Sequence, residues 1–269
     1  MPTAAVNGTT LRYEVTGSGP TCVVVPGWPG VEHRYLRPGL DRLAGRLRLV
    51  YYDHRADGFS MEQAADDAAG LAAAVDPGPV VVLGHHHGAS VAQEMALRHR
   101  EGVAGLVLVG GSPGELGPGE SLADGFAAPP RPPEVEVLQR VPPGSDDELA
   151  ATMLGVERFF FHRLGRPEAA SVFADLRFSA TLACESVMPL AWWSSVDRLA
   201  SLDVPVLALV GRHDVFNGPF ESARITRHAP RATSVVLEDS GHLPWLEEPD
   251  AFVESVGSWL AEVGLAGGG

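Results

Sequence analysis

At 269 residues, with 45% hydrophobic and 20% charged side chains, the chain is long enough to bury the core of one large α/β domain. Its formal net charge of −14, with no basic run to offset it, argues against nucleic acid and anionic membrane surfaces as partners. No charged and apolar leader opens the sequence and no apolar run reaches the length of a membrane span, so a cytoplasmic protein acting on a small-molecule substrate is expected.

Residues 3–16 alternate apolar and polar around Asn7-Gly8, the signature of a β-hairpin. "CVVVPGWPG" (22–30) is a buried strand running into a Pro/Gly loop, and Cys22 within it is expected to be an inert thiol, as is Cys184. Leu47 to Tyr52 form a second buried strand that opens into the polar loop of "YYDHRADGFS". Residues 61–75 are Ala-rich with helical spacing, "PVVVLG" (79–84) is a strand, residues 89–100 a helix, and residues 103–112 a long strand. Short continuous apolar strands alternating with helices predict a mostly parallel sheet covered on both faces.

The rhythm breaks at residue 113. Residues 113–145 concentrate proline and glycine, including "APPRPPE" and "VPPG", and residues 146–195 read as helices rich in Phe and Trp. Strand–helix alternation resumes at "VPVLALVGRHD" (204–214) and "TSVVLEDSGH" (233–242), and a final helix covers residues 249–263. The sheet domain is therefore expected over 1–112 and 197–269, with a helical cap or lid inserted at 113–196. All 20 basic residues are arginines, so chemistry that needs a lysine Schiff base is excluded.

Five motifs in order make the chain resemble the α/β-hydrolase superfamily, in its proline-iminopeptidase and esterase branch. "PGWPG" (26–30) stands where that branch has H-G-G-P-G, "YYDHRADGFS" (51–60) where it has D-x-R-G-x-G-x-S, and "GHHHG" (84–88) at the nucleophile elbow. "GRHD" and "DSGH" follow in the family's order of acid, then histidine. The resemblance implies Asp214 as the acid and His242 as the base, with Asp239 a loop residue and His213 structural. A carboxylate on one imidazole nitrogen fixes the tautomer and stabilises the imidazolium when the other nitrogen takes a proton. The resemblance also shows departures: Pro26 replaces the oxyanion-loop histidine, and Ala56 and Asp57 replace a Gly-x pair. Backbone N–H groups of Trp28 and His87 remain for an oxyanion hole, whereas Pro29 has none to offer.

At the elbow the central residue is His86, where the family has serine. With Gly84 and Gly88 flanking it, His86 is expected to project into the pocket, leaving His85 and His87 to pack or hydrogen-bond beneath. Its ring fills the space of a tetrahedral acyl carbon, so a stable acyl-enzyme is not expected. Two imidazoles, His86 and His242, would face one cavity as a coupled acid–base pair. No cofactor is expected, and no metal: histidines adjacent in a tight turn do not converge on one ion, and no Cys or H-E-x-x-H pattern accompanies them.

Trp28, Phe160, Trp192 and Trp193 are the aromatic residues expected to bind a small apolar or aromatic substrate, within the clusters 159–162 and 192–193. The leading expectation is non-covalent acid–base catalysis of the lyase, cyclase or isomerase type. Three alternatives stand beside it. One is hydrolysis of an ester, lactone or amide by directly activated water. Another is cofactor-independent dioxygenation, since "PGW" and His85-x-His87-Gly88 also resemble the 2,4-dioxygenases of this fold. The last is ligand binding without catalysis, against which an intact Asp214 and His242 count.

Overall fold

Strands whose every residue is apolar have no polar face to show to water, and they assemble where both faces are covered. In the computed structural model, which describes residues 1–56, 58–116 and 143–267, β3 (Thr21–Val25), β5 (Val80–His85) and β7 (Val206–Gly211) are buried at every position. With β4 (Arg48–Tyr52), β6 (Val103–Val109) and β8 (Ala232–Leu237) they pair in parallel in the order β4-β3-β5-β6-β7-β8. The alternating hairpin β1 (Thr3–Val6) and β2 (Thr9–Thr16) adds two antiparallel strands at the β4 edge, giving eight in all.

Helices close both faces. On one side α1 (Met61–Val75), α2 (His87–Arg98) and α6 (Pro219–His228) bury Ala65, Ala68, Leu71, Ala92, Met95 and Ile225 against the sheet. On the other, residues 33–45 and α7 (Pro249–Glu262) bury Tyr35, Leu36, Leu40, Phe252, Val256 and Trp259. Each of the larger aliphatic side chains and the phenylalanine contributes about 1.5–3 kcal/mol by leaving water. Ser60 caps α1 by accepting from Gln63 N at 3.1 Å, which starts the helix where the polar loop ends.

Between β6 and β7 the described residues form α3 (Asp146–Val156), α4 (Arg166–Phe173) and α5 (Ala180–Ala191). The two ends of this excursion are zipped together. Gly114 bridges Ser194, and Ser195 N donates to Pro113 O at 2.8 Å. A second clamp ties it to the loop after β3: Val31 bridges Phe178, Ser179 N donates to Gly30 O, and Arg177 holds the buried Glu32 carboxylate at 2.8 Å. Of the Pro/Gly-rich stretch expected at 113–145, residues 117–142 lie outside the described residues, as does Asp57 of the polar loop. Among the described residues no helix is long and apolar enough to cross a membrane.

Candidate active site

The turn from β5 into α2 is held tight by the absence of two side chains. A Cβ on Gly84 would stand 2.2 Å from Gly88 O, and one on Gly88 would stand 2.4 Å from Val25 O. The helix therefore packs directly on the end of β3, and His86 takes up the turn with φ 53° and ψ −119°. A non-glycine residue held there stores on the order of 1–3 kcal/mol, supplied by the surrounding packing. His86 N donates to Val109 O at 3.0 Å and Ala89 N to His86 O at 3.0 Å, so both sides of the turn are pinned.

His242 lies across from it, fully buried, its ring centroid 4.7 Å from that of His86 and nearly perpendicular at 86°. Its Nδ1 bonds Asp214 Oδ2 at 2.7 Å. The carboxylate is anchored at its other oxygen: Oδ1 accepts from Phe216 N at 2.8 Å and Asn217 N at 3.0 Å. Asp214 accepts throughout, so the His242 ring proton sits on Nδ1 and Nε2 carries the lone pair. That Nε2 is buried with no hydrogen-bond partner among the described residues. Gly110 leaves room for the pair, since a Cβ there would meet Asp214 Oδ2 at 3.0 Å and His242 Nδ1 at 3.1 Å.

His85 carries a separate chain. Gly27 N donates to the Tyr35 hydroxyl at 2.7 Å, the hydroxyl meets His85 Nδ1 at 3.0 Å, and His85 Nε2 meets the His242 carbonyl at 3.2 Å. A carbonyl only accepts, so Nε2 carries the proton and Tyr35 donates to Nδ1. Burial, reinforced by the neighbouring His242, holds the His85 pKa well below the ordinary imidazole value. A neutral His85 thus ties the His242 backbone to the loop that carries Trp28.

A cavity of about 310 Å³ opens above the elbow, lined among the described residues mainly by apolar side chains, with Trp28, His86, His87, Phe160, Met153 and Phe216 among them. His242 does not line it, contrary to the expectation of two imidazoles in one cavity. The rings of Trp28, His86, Phe160 and Phe216 stand 5.7, 4.7, 6.0 and 4.8 Å from His242 and cover it. His87 also departs from expectation: it is half-buried and lines the cavity, its ring 4.0 Å from that of His86. Its backbone N–H lies in the first turn of α2, where helix N–H groups have no partner within the helix.

Of the aromatic residues expected to bind substrate, Trp28 and Phe160 line the cavity and the tryptophan pair does not. Trp193 is drawn into the core because its indole N–H donates to buried Glu94 at 2.9 Å. Trp192, at the end of α5, is 70% exposed. Asp239 is in a surface ion pair with Arg163, and His213 stacks on His162 with ring centroids 3.5 Å apart, so neither reaches the site. Cys22 is buried, and burial pushes its thiol up to about 12, while Cys184 Sγ meets Pro143 O.

Four residues of the site carry no sequence motif that would single them out: Tyr35, Gly110, Phe216 and Asn217. Phe216 and Asn217 had a usable signal, because they immediately follow the acid in "GRHDVFNG" and a loop after a parallel strand returns to the site at the strand's carboxyl end.

Residues 22–255 match the pattern described as "Alpha/beta hydrolase family". Among curated relatives, pimeloyl-[acyl-carrier protein] methyl ester esterase of Vibrio cholerae is 28% identical, over 91% of this chain and 96% of that protein. The Pectobacterium carotovorum protein of the same name is 30% identical, over 92% of this chain and 97% of its own length. Among solved structures, a thermophilic esterase from Thermogutta terrifontis superposes with a TM-score of 0.73 at 28% identity, covering 97% of both chains. The chain belongs to the alpha/beta hydrolase family.

Proposed function

We propose that this member of the alpha/beta hydrolase family hydrolyses a small, uncharged ester or lactone, with His242 activating water directly and no acyl-enzyme between substrate and product. The single observation that carries the reading is the buried His242 Nε2, a lone pair whose ring is fixed by Asp214 at 2.7 Å and lies behind an apolar cavity. His86 stands at the position where the family keeps its nucleophilic serine, so the elbow offers no hydroxyl to acylate.

Nε2 of His242 takes a proton from water as the water oxygen bonds to the carbonyl carbon, and the carbonyl electron pair moves to oxygen. The backbone N–H groups of Trp28 and His87 accept that charge as hydrogen-bond donors. When the carbonyl re-forms, the carbon–oxygen bond to the alcohol breaks, and the alkoxide takes the proton back from His242. The products are the acid and the alcohol, or the hydroxy acid from a lactone. Asp214 stabilises the imidazolium in between and stays ionised. For water to reach Nε2, one of the covering rings must turn aside, and Phe216 stands 4.8 Å from His242.

The apolar lining selects uncharged substrates, because burying a charge there without a partner is costly. Sequence alone ranked a lyase, cyclase or isomerase first. Full-length similarity to proteins named as esterases supports hydrolysis over that reading. The experiment is a panel of small esters and lactones turned over in H₂¹⁸O with mass analysis of products. One heavy oxygen in the acid product of an accepted substrate is expected. A product of unchanged mass, formed by elimination or cyclisation, would restore the non-hydrolytic reading.

A further inference from the structure

The geometry points to Asn217 as a positioning residue that locks His86 into the Nε2–H tautomer, making it a fixed hydrogen-bond donor and removing it as base or nucleophile. The Gly110 carbonyl oxygen lies 2.8 Å from Asn217 Nδ2. A carbonyl only accepts, so this end of the Asn217 amide must be the NH₂. The same nitrogen lies 3.2 Å from His86 Nδ1, and its second N–H is the one directed there. Nδ1 therefore accepts, its lone pair is engaged, and the single proton of the neutral ring sits on Nε2. Turning the amide over would set its oxygen against Gly110 O, so the assignment has no low-energy alternative.

Asp214 and Asn217 lie on one short loop after β7, and the Asp214 carboxylate itself holds the Asn217 backbone N–H at 3.0 Å. One loop therefore sets both imidazoles, with opposite polarity. The carboxylate gives His242 an accepting Nε2, and the amide gives His86 a donating Nε2–H. The two ring centroids lie 4.7 Å apart, and His86 also borders the cavity. Burial removes solvent that would scramble these tautomers, since Asn217 is 9% exposed and His86 4%.

The chemical consequence deepens the hydrolytic reading and rests on it. An imidazole attacks through its unprotonated nitrogen, and in His86 that nitrogen is held by Asn217. His86 consequently forms no acyl bond. Its Nε2–H instead donates to the substrate carbonyl oxygen as that oxygen gains charge, a role a serine hydroxyl at the elbow does not have. A donor of this kind is worth about 10²–10³ in kcat when lost.

The test uses ¹⁵N-histidine-labelled protein, with the His86 signals assigned by their loss in His86→Gln. At a pH where free imidazole is neutral, the wild type should show a pyridine-type Nδ1 and a pyrrole-type Nε2 at His86. Asn217→Leu, of nearly the same shape, removes the donor from His86 Nδ1 and should let both tautomers appear at both ring nitrogens. It should also lower kcat, by up to about 10²-fold, with KM within about threefold, because the lost donor acts on the transition state. Asn217→Ala, which also enforces neither tautomer, should give the same mixed spectrum and a comparable loss of kcat. A pyrrole-type Nδ1 in the wild type overturns the inference, and so does an Asn217→Leu spectrum identical to wild type. The spectra need no substrate, so failure of the hydrolytic reading leaves the tautomer assignment decided, and a variant that does not fold leaves the wild-type spectrum decisive.

Discussion

Replacing Asp214 by asparagine changes one atom and should abolish turnover, and the structure says which way the new side chain must face. Oδ1 accepts two backbone N–H groups, from Phe216 at 2.8 Å and Asn217 at 3.0 Å, and an amide NH₂ in that place would oppose both donors. The asparagine oxygen is forced to remain there, which puts its NH₂ where Oδ2 now meets His242 Nδ1 at 2.7 Å. His242 must then accept at Nδ1 and carry its proton on Nε2, so the nitrogen assigned to water has no lone pair. Where the same substitution inverts a catalytic histidine in a serine protease, kcat falls by about 10⁴. At 1.36 kcal/mol per decade this is roughly 5 kcal/mol of transition-state stabilisation. Neither shape nor hydrogen-bond count changes, so the thermal midpoint should stay within a few degrees of wild type. The assay is kcat/KM for the best ester of the panel, with the melting curve beside it. Asp214→Asn activity within tenfold of wild type would mean that the Nε2 lone pair is not used.

Gly110→Ala should lower kcat and cost about 1–2 kcal/mol of stability, since its φ of +53° disfavours a side chain and the added methyl would meet Asp214 Oδ2 at 3.0 Å; paired kinetics and denaturation check both effects. The Glu32 and Asp53 carboxyls are pushed up by burial, and hydrogen bonds from Arg34 and Arg177 to Glu32 and from His33 to Asp53 outweigh this, so both titrate below the ordinary carboxylate range. Depressed values stabilise the fold above about pH 4 and lose that contribution as pH falls through them; Arg177→Met should thus lower the melting temperature at neutral pH, by an amount that shrinks toward acid in a pH series of melts. A serine-directed fluorophosphonate should leave the wild type unmodified by intact mass: the Ser112 and Ser240 hydroxyls are bonded to Glu221 at 2.8 Å and Glu248 at 2.5 Å, and Ser90 is buried in α2. Stoichiometric labelling would identify a nucleophile that the elbow does not supply.

The order of strands and helices was legible because the apolar runs at 22–25, 80–83 and 206–210 carry their own meaning: no polar face, hence a covered parallel sheet. The elbow was legible for a similar reason, as two glycines around one residue announce a close approach, here to Gly88 O and Val25 O. What the sequence did not carry was which side of a ring is engaged. Trp193 and Phe160 are both aromatic residues of the insertion, and only the partner of the indole N–H, Glu94 in α2, decides that one is core and the other lines the cavity. Asn217 is equally silent in the sequence, since an asparagine after a strand is most often a turn residue. Its meaning comes from Gly110 O, 107 positions away, which fixes the orientation of its amide. The cover over His242 is likewise a product of four distant rings meeting, and no spacing rule reports it.

In the proposed reaction water attacks the substrate without a covalent stage. This is tested most directly by rapid acid quench during the first turnover of the best ester, followed by intact-mass analysis, with His86→Ser as the comparison because it restores a hydroxyl beside His242 and Asp214. Unmodified wild-type protein is expected at every quench time while product accumulates without a burst. A wild-type species heavier by the acyl group, formed and consumed at rates that match turnover, would contradict it.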